Sequence, residues 1–351
     1  MTAGPAPALD VSLLAGFHYA CRPDCGLCCF AEPRVTPRER TQLLSIAPTL
    51  GFVERGREEC IAARPEGGAC GLLRNLRCGG HPARPSPCRE FPISVHLGER
   101  LQATVVLSCP GVDVRGLDGP EPAVGDPAPM GFDEELSRVR ARIGPDVPAR
   151  LKASTARRRR IARHLESDGR WVPESEVRSE WDGRAVEVPD SAFPVESPPE
   201  AADGLDLLPL TFAGTAGPWA IAGALGGWEV LELRETGGIA RSLGVVPAPE
   251  RPPLMSADGA RLLDRYLHYW LARDVLFGVV HLSMLDDPRG TVSEWVAAEL
   301  ARIGATVLAR ADVLAAVRGG RPGRLSADDI AVGLRATDQD LLDRATWGSR
   351  L

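Results

Sequence analysis

The stretch CRPDCGLCCF, residues 21–30, sets Cys21, Cys25, Cys28 and Cys29 within one short segment. Five more cysteines follow, at 60, 70, 78, 88 and 109, and none after that. The N-terminus, MTAGPAPALDVSLLAGFHYA, has no basic region and only a short apolar run, so it reads poorly as a signal peptide. The expected location is therefore cytoplasmic, where structural disulfides are uncommon. An odd number of cysteines, confined to the first third of a long chain, also fits a disulfide scaffold badly. That leaves metal or redox chemistry, with the first part of the chain folded around what its thiols bind.

Thiolates bind soft and borderline metals, and close spacing lets one loop supply several of them. Cys25-Gly26-Leu27-Cys28 is a C-x-x-C knuckle. Gly26 allows a tight turn whose backbone N–H groups can hydrogen-bond metal-bound sulfur. The adjacent Cys28 and Cys29 either point apart and serve two centres or share a sharp turn. A second block, ACGLLRNLRCGGHPARPSPCREFP (69–92), carries Cys70, Cys78 and Cys88, and a third, SCPG (108–111), carries Cys109. His81 and His18 are the histidine candidates, with a plain surface role as the alternative for each. Arg84 and Arg89 flank Cys88. They are candidates for neutralising a thiolate cluster or for gripping a carboxylate or phosphate of a bound cofactor or substrate. Ordinary ion pairing is the other reading.

The chain has 351 residues, enough for about two domains. Hydrophobic residues make up 44%, but aromatics only 5%, so Ala, Leu and Val must fill most of the core. A net charge of −6, spread along the chain, gives no argument for nucleic acid binding. The run Arg157–Arg160 reads as a solvated helix face. No apolar stretch is long enough for a membrane span.

TPRERTQLLSIA (36–47) predicts a helix, with Thr36 as N-cap, Pro37 at the first position and Glu39 completing a capping box. Residues 60–92 show no apolar period and are expected to need metal to fold. RLQATVVLSCPG (100–111) predicts a strand ending in a turn that carries Cys109. Linkers are expected over 110–131 and 189–204. Helices are expected over 133–143 and 149–169. A small antiparallel meander is expected near 218–247, with turns at Gly226-Gly227 and Gly237-Gly238. Three long helices should follow: one capped by Ser256 and running to about Ser283, one over about 291–317, and one capped by Ser326 and running to about Ala345. Tyr266, Tyr269, Trp270 and Phe277 then form a core stripe. The expected fold class is α+β, mainly helical. An irregular Cys-rich metal-binding lobe (12–115) precedes a mainly helical domain (130–351) with its small antiparallel sheet.

The cysteine blocks resemble the YkgJ-type cysteine-cluster family, described as zinc- or iron-chelating proteins. The correspondence runs through Cys21, Cys25, Gly26, Cys28 and Cys29, then Cys70, Leu73 and Cys78. It continues through Arg84, Pro85, Cys88, Arg89, Phe91 and Pro92, and ends at Cys109, Pro110 and Gly111. The spacing departs between Cys21 and Cys25, where three residues stand instead of two, and Cys60 has no counterpart. The resemblance implies Cys21, Cys25, Cys28, Cys29, Cys70, Cys78, Cys88 and Cys109 as metal ligands. The metal would be an iron–sulfur cluster of the 4Fe-4S type, or zinc. Eight thiols exceed what one tetrahedral zinc or one such cluster needs, so two centres, or one centre plus free thiols, both stay open.

The layout also resembles flagellin lysine N-methylases, and DRYLHYWLARDVLF (264–277) is similar to a helix in their C-terminal half. That resemblance implies methyl transfer from S-adenosylmethionine to a lysine on a partner protein. No strand–glycine loop–helix unit points independently to a methyl-donor site. The alternative is a non-catalytic zinc- or iron-binding module whose helices contact a partner. Neither reading sets an oligomeric state.

Overall fold

The computed structural model describes residues 7–21, 25–30, 32–55, 58–64, 68–118, 131–200, 210–211, 218–342 and 346–350. It is an α+β protein, mainly helical, with several small sheets. No helix among the described residues is long and apolar enough to cross a membrane.

The first part of the chain holds β1 (Leu9–Asp10), α1 (Pro37–Ile46), the hairpin β2 (Phe52–Arg55) and β3 (Glu58–Ile61), and the short hairpin β4 (Leu73–Arg74) and β5 (Arg77–Cys78). A five-residue helix α2 (Ser86–Glu90) follows, then the hairpin β6 (Ile93–Leu97) and β7 (Leu101–Val105). α1 starts as its capping box predicts: the Glu39 N–H donates to Thr36 Oγ1, and the Glu39 carboxylate accepts from the Thr36 N–H at 2.9 Å. The apolar cluster of the cysteine segment is small, built on Val35, Leu43, Ile61, Cys70 and Leu72. β6 and β7 do not belong to it. Val95, Leu97, Leu101, Ala103 and Val105 pack into the large core formed with the helices.

The helical part begins with α3 (Asp133–Arg142), α4 (Val147–Ser167) and α5 (Glu174–Glu180). The meander follows as β8 (Leu210–Thr211), β9 (Trp219–Ala224), β10 (Gly227–Leu233) and β11 (Ile239–Val246), all antiparallel and in the order β11-β10-β9-β8. Its alternation is that of a two-faced sheet. Ile221, Trp228 and Val230 enter the main core, while Ala220, Ala222, Leu231 and Leu233 meet Phe30 of the cysteine segment. β12 (Leu254–Met255) leads into α6 (Ala257–Ala272) and α7 (Asp274–Asp286). α8 (Val292–Val317) is buried along most of its second half, and α9 (Ala327–Arg335), preceded by β13 (Arg324–Leu325), lies against it. α10 (Asp338–Leu342) and β14 (Ser349–Arg350) complete the chain walk. β14 pairs antiparallel with β6 and β1 pairs parallel with β7, giving one sheet ordered β1-β7-β6-β14.

Two expected helices are each divided. The helix capped by Ser256 stops at Arg273, whose backbone is extended (φ −78, ψ 125), and restarts as α7. The cause is a buried ion pair. Arg273 and Asp338 are both 0% exposed, with Nη1 to Oδ1 at 2.7 Å. Asp338 also accepts from Tyr266 Oη and from the Leu107 N–H. The guanidinium lies over the rings of Tyr269 and Trp270 and donates to the Val105 carbonyl. The helix capped by Ser326 likewise ends at Arg335, before α10 places Asp338. Tyr266, Tyr269, Trp270 and Phe277 are core residues as expected, but on two helices. Of the expected linkers, 119–130 and 201–204 lie outside the described residues. In the rest, Val112 and Phe193 are buried, while most of residues 189–200 are exposed. Arg157, Arg159 and Arg160 are exposed on α4, while Arg158 turns inward to Glu174 at 3.1 Å.

His281 on α7 is 0% exposed, and neither ring nitrogen has a hydrogen-bond partner among the described residues. It packs against Trp171 and Phe277. Burial, helped by the positive charge of Arg158, pulls its pKa from 6.5 to about 3. The folded state therefore keeps it neutral where the unfolded chain protonates it. Its contribution is complete above about pH 6.5 and is lost as pH falls toward 3, amounting to about 2 kcal/mol at pH 5. Urea melts at pH 7.5 and 5 should show this loss, and His281→Phe should remove about that much of it. An unchanged acid dependence in the variant would contradict the assignment.

Candidate metal centre

Gly26 has φ +62, and a Cβ there would stand 3.1 Å from Leu73 Cδ1, so both backbone and space require glycine. The turn it opens carries Leu27–Phe30 as a 3₁₀ helix, closed by the Cys29 N–H donating to the Gly26 carbonyl at 2.9 Å. Cys28 and Cys29 thus share a sharp turn, the second of the two alternatives. The Leu27 N–H donates to Cys25 Sγ at 3.5 Å, the N–H to sulfur contact that the C-x-x-C knuckle predicts.

The second block is brought to this turn by backbone. The Cys70 N–H donates to the Cys29 carbonyl at 2.6 Å. β4 and β5 pair Leu73 with Cys78 across a turn in which Asn75 and Leu76 both have positive φ. That strained turn is held from outside: Glu235, between β10 and β11, accepts from the Leu76 N–H with its carboxylate and from the Ala69 N–H with its carbonyl. Cys88 sits on α2, which is anchored to α1 through Glu39. One Glu39 oxygen completes the cap of α1, and the other accepts from the Ser86 N–H (2.8 Å), Ser86 Oγ (2.7 Å) and Arg89 Nη2 (3.3 Å). Burial alone would raise the Glu39 pKa; the bonds from Ser86 and Thr36 outweigh it and hold it low.

The thiols are electrostatically coupled. The Cys29 thiol lies in hydrogen-bonding reach of the Cys28 and Cys78 sulfurs, which keeps its own proton and favours thiolate on its neighbours. Cys78 falls to about 6 through Cys29, against burial and with help from the Gly80 N–H and Arg84. Cys28 is lowered by Cys29 and Arg84, against burial. Burial and neighbouring sulfurs push Cys88 up, and burial takes Cys70 to about 11. Arg84 faces this group, and its buried Nε has no hydrogen-bond partner among the described residues. Arg89 is spent on Glu39 and Ser86.

Cys109 stands on the turn after β7. Burial pushes its thiol up to about 12, opposed by the Gly111 N–H, and it feels the Cys28 and Cys25 sulfurs. The isolated bridge Tyr19↔Val112 and the Ala20 N–H to Gly111 carbonyl bond (3.0 Å) bring Cys21 alongside this turn. The Tyr19 hydroxyl, raised by burial and by Cys109 and Cys21, hydrogen-bonds with Cys21. Cys21 is exposed, as are His18 and His81. Cys60 is buried on β3, paired with Val53, and none of the nine cysteines is in a disulfide.

The donor set is soft, partly ionised and rich in sulfur, which fits zinc or iron. Among the described residues no three His, Cys, Asp or Glu side chains are already arranged to hold a metal ion, so binding requires these thiols to turn toward a shared centre. The buried Nε of Arg84, facing sulfurs with no acceptor of its own, is what an anionic metal–thiolate group would satisfy.

The surrounding positions were invisible to local pattern. Glu235 and Arg335 act from more than 150 residues away in sequence. Where the cysteine segment meets the core there is a cleft of about 500 Å³, lined by Arg34, Cys60, Glu90, Arg142 and Gln339 among others. Neither Arg84 nor Arg89 lines it. Glu90 and Arg142 form a 2.8 Å ion pair in its wall.

Comparison with curated proteins and with solved structures gave no match. Residues 20–110, the stretch that holds every cysteine of the chain, match the model of the CxxCxxCC family, described as a "putative zinc- or iron-chelating domain".

Proposed function

We propose that this protein binds zinc or iron through Cys28, Cys29, Cys70, Cys78 and Cys88, with Cys25, Cys109 and Cys21 as the adjoining thiols. The observation that carries the reading is the meeting of two separated cysteine blocks at Cys29, whose thiol reaches both Cys28 and Cys78 and whose carbonyl accepts from the Cys70 N–H. The family match over residues 20–110 supports it. The metal we infer is an iron–sulfur cluster of the 4Fe-4S type, because N–H groups point at several of the sulfurs, the contacts that tune cluster thiolates. Protein purified without oxygen should be brown, with absorbance at about 400 nm and bound iron and sulfide. Colourless protein with stoichiometric zinc selects the zinc form, and protein with neither metal refutes the reading. Cys28→Ser and Cys78→Ser should lose most of the metal. Cys60→Ser should leave metal content unchanged, since Cys60 is buried in a hairpin away from the coupled thiols. A loss in Cys60→Ser equal to that in Cys28→Ser would overturn the ligand assignment.

The finer reading, S-adenosylmethionine-dependent methylation of a lysine on a partner protein, rests on the cysteine pattern alone. The segment 264–277 gives it no further support, because it is broken at Arg273 and its aromatic residues are spent in the core. Transfer of labelled methyl groups to protein lysines by the metal-loaded, anaerobic protein is its test. Without transfer, the metal-binding module with helices free to contact a partner is the reading that stands.

A further inference from the structure

We propose that Arg335 is a positioning residue for the metal centre: it holds the 107–112 turn so that Cys109 is delivered to the other thiols from the helical core. This rests on the metal-binding reading above.

Cys109 differs from the other candidate ligands in where its backbone is anchored. It packs in the main core, while Cys70, Cys29 and Cys78 belong to the small cluster of the cysteine segment. Its turn is gripped by side chains and backbone from α9 and α10. Arg335 Nη1 donates to the Cys109 carbonyl at 2.6 Å and to the Leu107 carbonyl at 3.5 Å, and Nη2 donates to the Val112 carbonyl at 2.8 Å. Asp338 accepts from the Leu107 N–H at 2.7 Å, and the Gln339 N–H donates to Ser108 Oγ at 2.9 Å.

Three carbonyls of one turn converge on one guanidinium. Oxygens gathered so closely repel unless a planar, multi-donor cation satisfies them, which lysine does not match. The same turn aims the Gly111 N–H at the Cys109 sulfur and sets that sulfur within electrostatic range of Cys28 and Cys25. Arg335 therefore touches no ligand atom, yet it fixes the backbone from which one ligand projects. Metal bound by Cys109 together with the thiols of residues 25–88 would join the cysteine segment to the core, losing one proton to solvent as this thiol ligates. Residues that orient ligands in this way typically govern metal affinity by about 10–100-fold.

The test follows metal loss from the full-length, metal-loaded protein to a competing chelator, read by metal analysis and by bleaching of any metal–sulfur absorbance. Arg335→Gln and Cys109→Ser should both give up metal about 10–100-fold more readily than the parent, with Arg335→Lys between. Arg335→Gln should weaken the metal-loaded protein more than the metal-free protein, which separates positioning from a general structural role. Should Arg335→Gln fail to fold, Ser108→Ala removes one contact of the same grip without disturbing the charge and should show a smaller change in the same direction. The proposal is overturned if Arg335→Gln holds metal as the parent does, or if it weakens the metal-free protein to the same degree as the loaded one. It is also overturned if Cys109→Ser keeps its metal while Cys28→Ser and Cys78→Ser lose theirs, an outcome that leaves the site itself standing. Retention of metal by all of the cysteine variants would instead bring down the metal-binding reading and this inference with it.

Discussion

Asp338→Ala is expected to destabilise the protein by about 3–5 kcal/mol, a large fraction of a typical net stability of about 5–15 kcal/mol. Asp338 is fully buried and accepts from Arg273, Tyr266 Oη and the Leu107 N–H. Its removal strands a guanidinium that is itself 0% exposed, and an unpaired buried charge is far costlier than the pair is valuable. Replacing both partners by apolar residues, Arg273→Met with Asp338→Leu, should therefore recover a large part of the loss. Urea denaturation of the single and double variants measures both effects. A loss below about 1 kcal/mol in Asp338→Ala would show that the buried pair does not hold the core in place.

The second large effect is expected from metal removal. Stripping the protein with a chelator should open proteolytic sites between residues 30 and 90, while 93–107 and the helices from α3 onward stay protected. The apolar cluster of the cysteine segment is limited to a few side chains around Leu43 and Ile61, so it cannot hold that segment unaided. Metal bound by several thiolates supplies folding free energy in proportion to its affinity. The protected boundary falls before Ile93 because β6 and β7 are buried in the helical core and flanked by β1 and β14. Limited proteolysis with and without chelator, read by mass spectrometry, gives the answer. Equal protection of residues 30–90 without metal would mean the segment folds on its own contacts.

The elements legible in the sequence are those whose physical cause is local. α1, α6, α8 and α9 each begin at a Ser or Thr whose hydroxyl accepts from an N–H three residues on, an interaction complete within four residues. The meander turns at Gly226-Gly227 and Gly237-Gly238 have positive φ at three of their four glycines, a preference carried by glycine itself. The Gly26 turn belongs to the same class. What the pattern could not hold was every feature whose cause lies far along the chain. Arg273 sits in a sequence that is helical by every local measure, and it breaks the helix because Asp338, 65 residues away, takes its charge inside the core. Glu39 is legible as a cap, but its other oxygen works for Ser86 and Arg89 across 47 and 50 residues. Glu235 and Arg335, which hold the backbones of the second and third cysteine blocks, have no signature in sequence, because a buried polar group's partner is chosen by where the chain folds back.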